Sequence, residues 1–288
     1  MKTSVSFPAQ SIFRNILMIG YAPSIHPPDS CPGYAMSLLD QLFVFHPDPW
    51  QDRDWKQVSG LPLEDIWFPS ADGTKLFGWY VETAADRPVL LWCHGNAGNV
   101  IHRLENLRAL YAYGFSVFIF DYRGYGRSQG RPSEKGLYED AIGAYDYLTR
   151  VRMLRWERLV IFGRSLGAAV AGELAARKPA AGLILESAFP SVEAVGKFLY
   201  AGLPVHWLIG AEFRLIDRLP HLSLPKLVIH GDQDDVIPLE LGRQVFEAAK
   251  PPKSFTVIPG ANHNDTYHVG GASYFTTLSE FAMRAIRS

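Results

Sequence analysis

Hydrophobic positions in this chain gather into short continuous runs that alternate with longer amphipathic stretches from residue 89 onward. The runs are Val89 to Cys93, Phe115 to Phe120, Leu159 to Phe162, Leu183 to Glu186, Lys226 to His230 and Ser254 to Ile258. Runs this short and this apolar lack a polar face, so they predict strands buried on both sides of a sheet. Helical stretches are expected over about Val100–Tyr113, Ser133–Arg152, from the turn at Ser165 to Leu174, and over Gly271–Ile286. Ahead of them, Glu64 to Pro69 alternates, Asp72-Gly73 signals a hairpin turn, and Leu76 to Val81 returns. Strands alternating with helices imply right-handed crossovers and a mostly parallel, eight-stranded sheet with helices on both faces. In such sheets ligands bind at the carboxyl ends of the strands.

Residues 1–60 read differently. Pro23, Pro27, Pro28, Pro32, Pro47 and Pro49, with Trp50 and Trp55, predict an irregular arm packing on a single domain over 61–288. Leu42 to Phe45 reads as a short strand or buried turn within that arm. Ile12 to Tyr21 is apolar but interrupted by Arg14 and Asn15, and is too short for a membrane span. It also lacks the basic start and small-residue cleavage site of a signal peptide. The expectation is a cytoplasmic chain whose residues 11–21 dock on the domain, with a peripheral position at a membrane surface as the alternative.

Charge narrows the partners. Lys plus Arg is 28 against 29 Asp plus Glu, a net charge of −1, so no overall field draws nucleic acid or acidic lipid. The two cysteines, Cys31 and Cys93, form neither a disulfide framework nor a zinc spacing, and Cys93 reads as a buried reduced thiol. No cofactor and no metal are expected.

The chemistry is carried by residues just after the strands. Gly163-Arg-Ser-Leu-Gly167 fits G-x-S-x-G, which sets a serine on a strained strand-to-helix turn with its hydroxyl exposed. Alone the pattern is weak, because a serine also caps ordinary helices. A serine hydroxyl needs a neighbouring base, and histidine titrates in the right range. Of nine histidines, His263 follows the last strand and projects to the site edge. His268 is its rival, while His94 and His230 read as structural groups satisfying nearby backbone. The imidazole needs a carboxylate, and His230-Gly-Asp-Gln-Asp-Asp-Val-Ile-Pro238 offers three. Asp234 is preferred, with Asp232 and Asp235 capping turns or facing solvent. The order Ser165, Asp234, His263 supplies nucleophile, acid and base. Oxyanion donors would be the backbone N–H of Leu166 and that of Asn96 in His94-Gly-Asn-Ala-Gly-Asn99. Asp121-Tyr-Arg-Gly-Tyr-Gly-Arg-Ser128 reads as a scaffold loop in which Asp121 and Arg123 pin the backbone.

Together these motifs resemble the α/β-hydrolase superfamily and, within it, the BEM46-like and ABHD13- and ABHD17-like serine hydrolases, over roughly residues 60–288. The resemblance implies the α/β-hydrolase fold, Ser165 as nucleophile, Asp234 as acid, His263 as base, and Asn96 with Leu166 as oxyanion donors. Between the Leu183–Glu186 strand and Lys226, Phe189, Val195, Phe198, Leu199, Leu203, Trp207, Ile209, Phe213 and Leu215 recur at helical spacing around Pro190 and Pro204. Members of the superfamily insert a cap here, so a small helical cap over about 189–219 is expected, suited to a small ester or thioester with an apolar acyl group. The leading reading is a serine hydrolase acting on carboxylic esters through an acyl-enzyme. The alternatives are an acyl-protein or acyl-CoA thioesterase, a small-peptide serine peptidase, or a non-catalytic binding protein on the same scaffold. A dehalogenase would need an acid at position 165.

Overall fold

The computed structural model describes residues 44–199 and 210–287. Eight of the strands among the described residues build the main sheet: β1 (Glu64–Pro69), β2 (Lys75–Val81), β3 (Val89–Cys93), β4 (Ser116–Asp121), β5 (Leu159–Arg164), β6 (Gly182–Glu186), β7 (Lys226–Gly231) and β8 (Lys253–Ile258). They form one sheet in the spatial order β8-β7-β6-β5-β3-β4-β2-β1. The pairs from β8 to β4 are parallel, and β2 runs antiparallel to both β4 and β1. The edge hairpin closes at Asp72-Gly73, where Gly73 has φ +90° and Asp72 Oδ1 accepts the Thr74 N–H and hydroxyl. Left-handed backbone at that corner suits a residue without a Cβ.

Every residue of β3 to β7 is buried, which is why their sequences lack polar alternation. One face of the sheet packs α3 (Glu134–Asp146), α4 (Leu166–Arg177) and α6 (Leu239–Ala248). The other packs α2 (Leu104–Ala112) and α7 (Thr266–Ala285), through Leu107, Leu110, Tyr274, Leu278 and Phe281. The small faces of Ala168, Ala171 and Gly167 let α4 lie close on β5 and β3.

Three helix boundaries differ from the sequence reading. The stretch from Val100 starts as a 3-10 turn over Val100–Arg103, and α-helix begins only at Leu104. The expected Ser133–Arg152 helix is α-helical from Glu134 to Asp146, with Ser133 Oγ capping the Gly136 N–H, and then widens into a π-turn over Tyr147–Val151. The last helix starts at Thr266 rather than Gly271, because Gly271 (φ 48°) kinks a helix whose first turn already stands. A glycine at that position looked like a helix start and is a break within one.

The described part of the arm carries a short helix α1 (Trp55–Ser59), and Trp50 packs edge-on against Trp55, Phe77 and Trp79. His46–Pro47 pairs in parallel with Ala97–Gly98, and Val44 and Phe45 are buried. Residues 11–21, Cys31, and Leu42 with Phe43 lie outside the described residues. In the expected cap, α5 (Val192–Leu199) is helical, Phe189, Phe213 and Leu215 are buried in the core, and Phe198 is exposed. Leu203, Trp207 and Ile209 lie outside the described residues. No helix among the described residues is long and apolar enough to cross a membrane. Cys93 is fully buried with a free thiol, which burial pushes up to about 12.

Candidate active site

The loops after β3, β5, β6, β7 and β8 all open on the same edge of the sheet. After β5 the chain turns sharply at Ser165, which has φ 53° and ψ −122°. That region is close to glycine-only and costs a non-glycine residue about 1–3 kcal/mol. The surroundings dictate the turn. A Cβ at Gly163 would sit 2.4 Å from the Gly167 carbonyl oxygen, and one at Gly167 only 2.0 Å from that of Cys93. The Ser165 N–H donates to the Glu186 carbonyl at 2.9 Å, and Ser165 accepts from the Ala168 N–H at 2.9 Å. The half-buried serine thus stands at the N-terminus of α4, where the first N–H groups lack intrahelical acceptors.

The structure brings His263 and Asp234 to this serine. His263 Nε2 lies 3.0 Å from Ser165 Oγ, and Nδ1 lies 2.8 Å from Asp234 Oδ2. The carboxylate can only accept, so Nδ1 carries the proton and Nε2 is left free to accept the serine proton. Asp234 Oδ1 also accepts the backbone N–H of Val236 at 3.0 Å and of Ile237 at 2.7 Å. Burial pushes the Asp234 carboxyl up, but the bond and charge of His263 and the Ile237 N–H outweigh it, leaving it below the usual range. His268 is exposed. Asp232 caps the turn at Gly260 by accepting its N–H at 2.7 Å, and Asp235 is exposed.

His230 and His94 have backbone partners. His230 Nε2 donates to the Ile237 carbonyl at 2.7 Å, and burial pushes the ring's pKa below the usual histidine value. It also sits 3.5 Å from Asp234 Oδ2, so it backs the loop that carries the carboxylate. Gly242 makes room for it, since a Cβ there would lie 2.2 Å from His230 Nδ1. His94 Nδ1 donates to the Gly95 carbonyl at 2.7 Å.

Asn96 lies in the loop after β3, and its side chain is fully engaged at one oxygen. Oδ1 accepts the Tyr125 hydroxyl at 3.0 Å and the His46 N–H at 3.2 Å. Asn99 Nδ2 in turn donates to the Asp48 and Pro49 carbonyls, strapping the arm across this loop. Asp121 Oδ1 accepts the Val100 N–H at 2.8 Å and so pins the loop's far end. Arg123 works through side chains instead, gripping Asp140, Asp72 and Ser70.

Arg164 was missed from the sequence. It is buried immediately before Ser165, donates to the His263 carbonyl and to Asn264 Oδ1, and its Nε lies 3.2 Å from Glu186 Oε1. Glu186 is fully buried and accepts the Thr266 and Tyr274 hydroxyls as well. The pair therefore clamps the serine turn to the His263 loop and the start of α7. A charge at the end of an apolar strand, opposite a second charge in register on the next strand, was the available signal.

Comparison with known proteins places the chain in a family. The family described as Hydrolase_4, Serine aminopeptidase, S33, matches residues 84–211. Uncharacterized protein Rv2307c of Mycobacterium tuberculosis is 40% identical over 77% of this chain and 80% of its own. The alpha/beta hydrolase domain-containing protein WAV2 of Arabidopsis thaliana is 33% identical over 77% of this chain and 79% of its own. The chain belongs to the α/β-hydrolase family. The hydrolase is also 34% identical to the lysophosphatidylserine lipase ABHD12 of Rattus norvegicus, over 67% of this chain and 53% of that one. Among solved structures, the Pyrococcus furiosus esterase Pf2001 shares its fold, with TM-score 0.70 and 22% identity over 84% of this chain and 98% of the esterase.

Proposed function

We propose that this hydrolase cleaves carboxylic esters with an apolar acyl group through an acyl-enzyme on Ser165. The observation that carries the reading is the unbroken hydrogen-bond chain from Ser165 Oγ through His263 to Asp234, on a serine held at φ 53°. His263 Nε2 takes the hydroxyl proton as Oγ attacks the ester carbonyl. Asp234 keeps the acceptor nitrogen facing the serine and offsets the charge that forms on the ring. The oxyanion accepts the N–H of Leu166, first in α4, and that of Asn96, whose side chain is anchored by Tyr125 and His46. Collapse expels the alcohol, protonated by His263. Water then enters and attacks the acyl carbonyl as it gives a proton to His263; the bond from Ser165 Oγ to the acyl carbon breaks, His263 returns the proton to Oγ, and the carboxylic acid leaves.

The ester reading draws on a relative named as a lysophosphatidylserine lipase and on a fold shared with an esterase. Thioester and aminoacyl amide cleavage use the same machinery, and rates on acyl esters, acyl thioesters and aminoacyl amides separate the three. Ser165→Ala should abolish turnover of p-nitrophenyl esters while the unfolding transition persists. Undiminished turnover in a folded Ser165→Ala protein would reject the assignment and revive the non-catalytic reading.

A further inference from the structure

The segment between α3 and β5 does something that neither the core nor the site explains. Among the described residues, Met153 and Val151 are the two most exposed large apolar side chains, at 76% and 67%, and Trp156 beside them is exposed at 44%. All three lie within six consecutive residues. Interleaved with them are Arg150 and Arg155, whose side chains are 73% and 77% exposed. Their acidic neighbours are loosely held, with Arg150 3.8 Å from Asp146 and Arg155 3.3 Å from Glu157. Exposed pairs of this kind are worth little and leave the cations available.

The segment is built rather than frayed. The Arg152 N–H closes the π-turn on the Tyr147 carbonyl at 3.0 Å, and the Leu154 N–H bonds the Leu148 carbonyl at 2.9 Å. Leu148 is fully buried and Leu154 packs on the core. Arg152 turns inward, 2.7 Å from Glu64 and stacked on Tyr80 at 4.2 Å. Met153 is held outward with φ 55°, a conformation that costs a methionine free energy. The result is a fixed convex ridge of Val, Met and Trp rimmed by arginine.

We propose that this ridge docks the hydrolase on an anionic membrane surface. Apolar side chains that protrude rather than line a groove suit a fluid apolar phase, which needs no complementary shape. Tryptophan favours the headgroup level, and exposed arginines complement anionic lipid. The whole-chain charge of −1 hides this: on the ridge Arg150 and Arg155 face only Asp146 and Glu157, and Asp146 is already held by Lys178 at 2.8 Å. Leu159 opens β5 beside Val89 at the edge opposite Ser165, so docking leaves the candidate site facing water. Substrate would then reach it from the aqueous side.

The test is co-sedimentation of the full chain with phosphatidylcholine vesicles, with and without phosphatidylserine, at low and high salt. Binding should require phosphatidylserine and weaken with salt. Arg150→Gln with Arg155→Gln should weaken it about 30-fold. Val151→Ser with Met153→Ser and Trp156→Ser should weaken it about tenfold or more. Both variants should keep the unfolding transition, and both retain residues 1–43, so a loss reports the ridge. Binding that is absent, or unchanged in both variants, overturns the proposal. So does an oligomer that the ridge variants dissociate without any vesicle binding, since that makes the ridge a protein interface.

Discussion

Ser165 should limit the stability of this protein, and replacing it with glycine should reveal by how much. Its φ of 53° and ψ of −122° carry strain of about 1–3 kcal/mol that alanine shares and glycine does not. Both Ser165→Ala and Ser165→Gly lose the 3.0 Å hydrogen bond to His263, so comparing the two isolates the backbone. Against the relief stand the extra unfolded-state entropy of glycine, about 0.5–1 kcal/mol, and a few tenths for a half-exposed Cβ. Ser165→Gly should therefore be more stable than Ser165→Ala by roughly 0.5–1.5 kcal/mol. In a chain this size that is about 1–2.5 °C in Tm, with a matching rise in the guanidinium midpoint at unchanged slope. The assay is chemical and thermal unfolding of both variants beside ester turnover, which should be lost in both. A glycine variant no more stable than the alanine one would refute the claim that strain is stored at the turn.

Arg164→Met should destabilise by about 3–5 kcal/mol, because it leaves Glu186 buried without its cation; adding Glu186→Gln should recover much of the loss, read by guanidinium unfolding. His94 and Asp121 should show opposite pH slopes that mask one another. Burial lowers His94 to about 3, so the unfolded chain binds the extra proton between about 3 and 6.5 and stability rises with pH there. Burial raises Asp121 to about 7, so the folded chain binds the extra proton between about 4 and 7 and stability falls as pH rises. Asp121→Asn should unmask the rising slope and His94→Gln the falling one, each at most about 1.4 kcal/mol per pH unit. Parallel slopes in the two variants would contradict this.

The parts of the fold legible in the sequence were those with no competing reading. Leu91 and Ile161 sit in runs too apolar for any place but the middle of a sheet, and the order of strands and helices left few topologies. The grouping of Ser165, Asp234 and His263 was legible because each lies in a loop that follows a strand of the same parallel sheet, and those loops open on one edge. Tertiary packing decided what stayed hidden. Nothing near Gly271 in sequence says that Thr266 starts the helix, since Thr266 gains its place from Glu186 eighty residues away. The π-turn after Asp146 is invisible to periodicity, yet it sets the direction of Val151 and Met153. Arg164 read as a variable letter inside a motif, although its role depends only on Glu186 being in register on the neighbouring strand.

The most direct test of the account is labelling with a fluorophosphonate, read by intact mass and peptide mapping. One adduct is expected, on Ser165, absent from Ser165→Ala and strongly slowed in His263→Gln. An adduct on another residue, or equal labelling of Ser165→Ala, would contradict the assignment of this serine as the nucleophile.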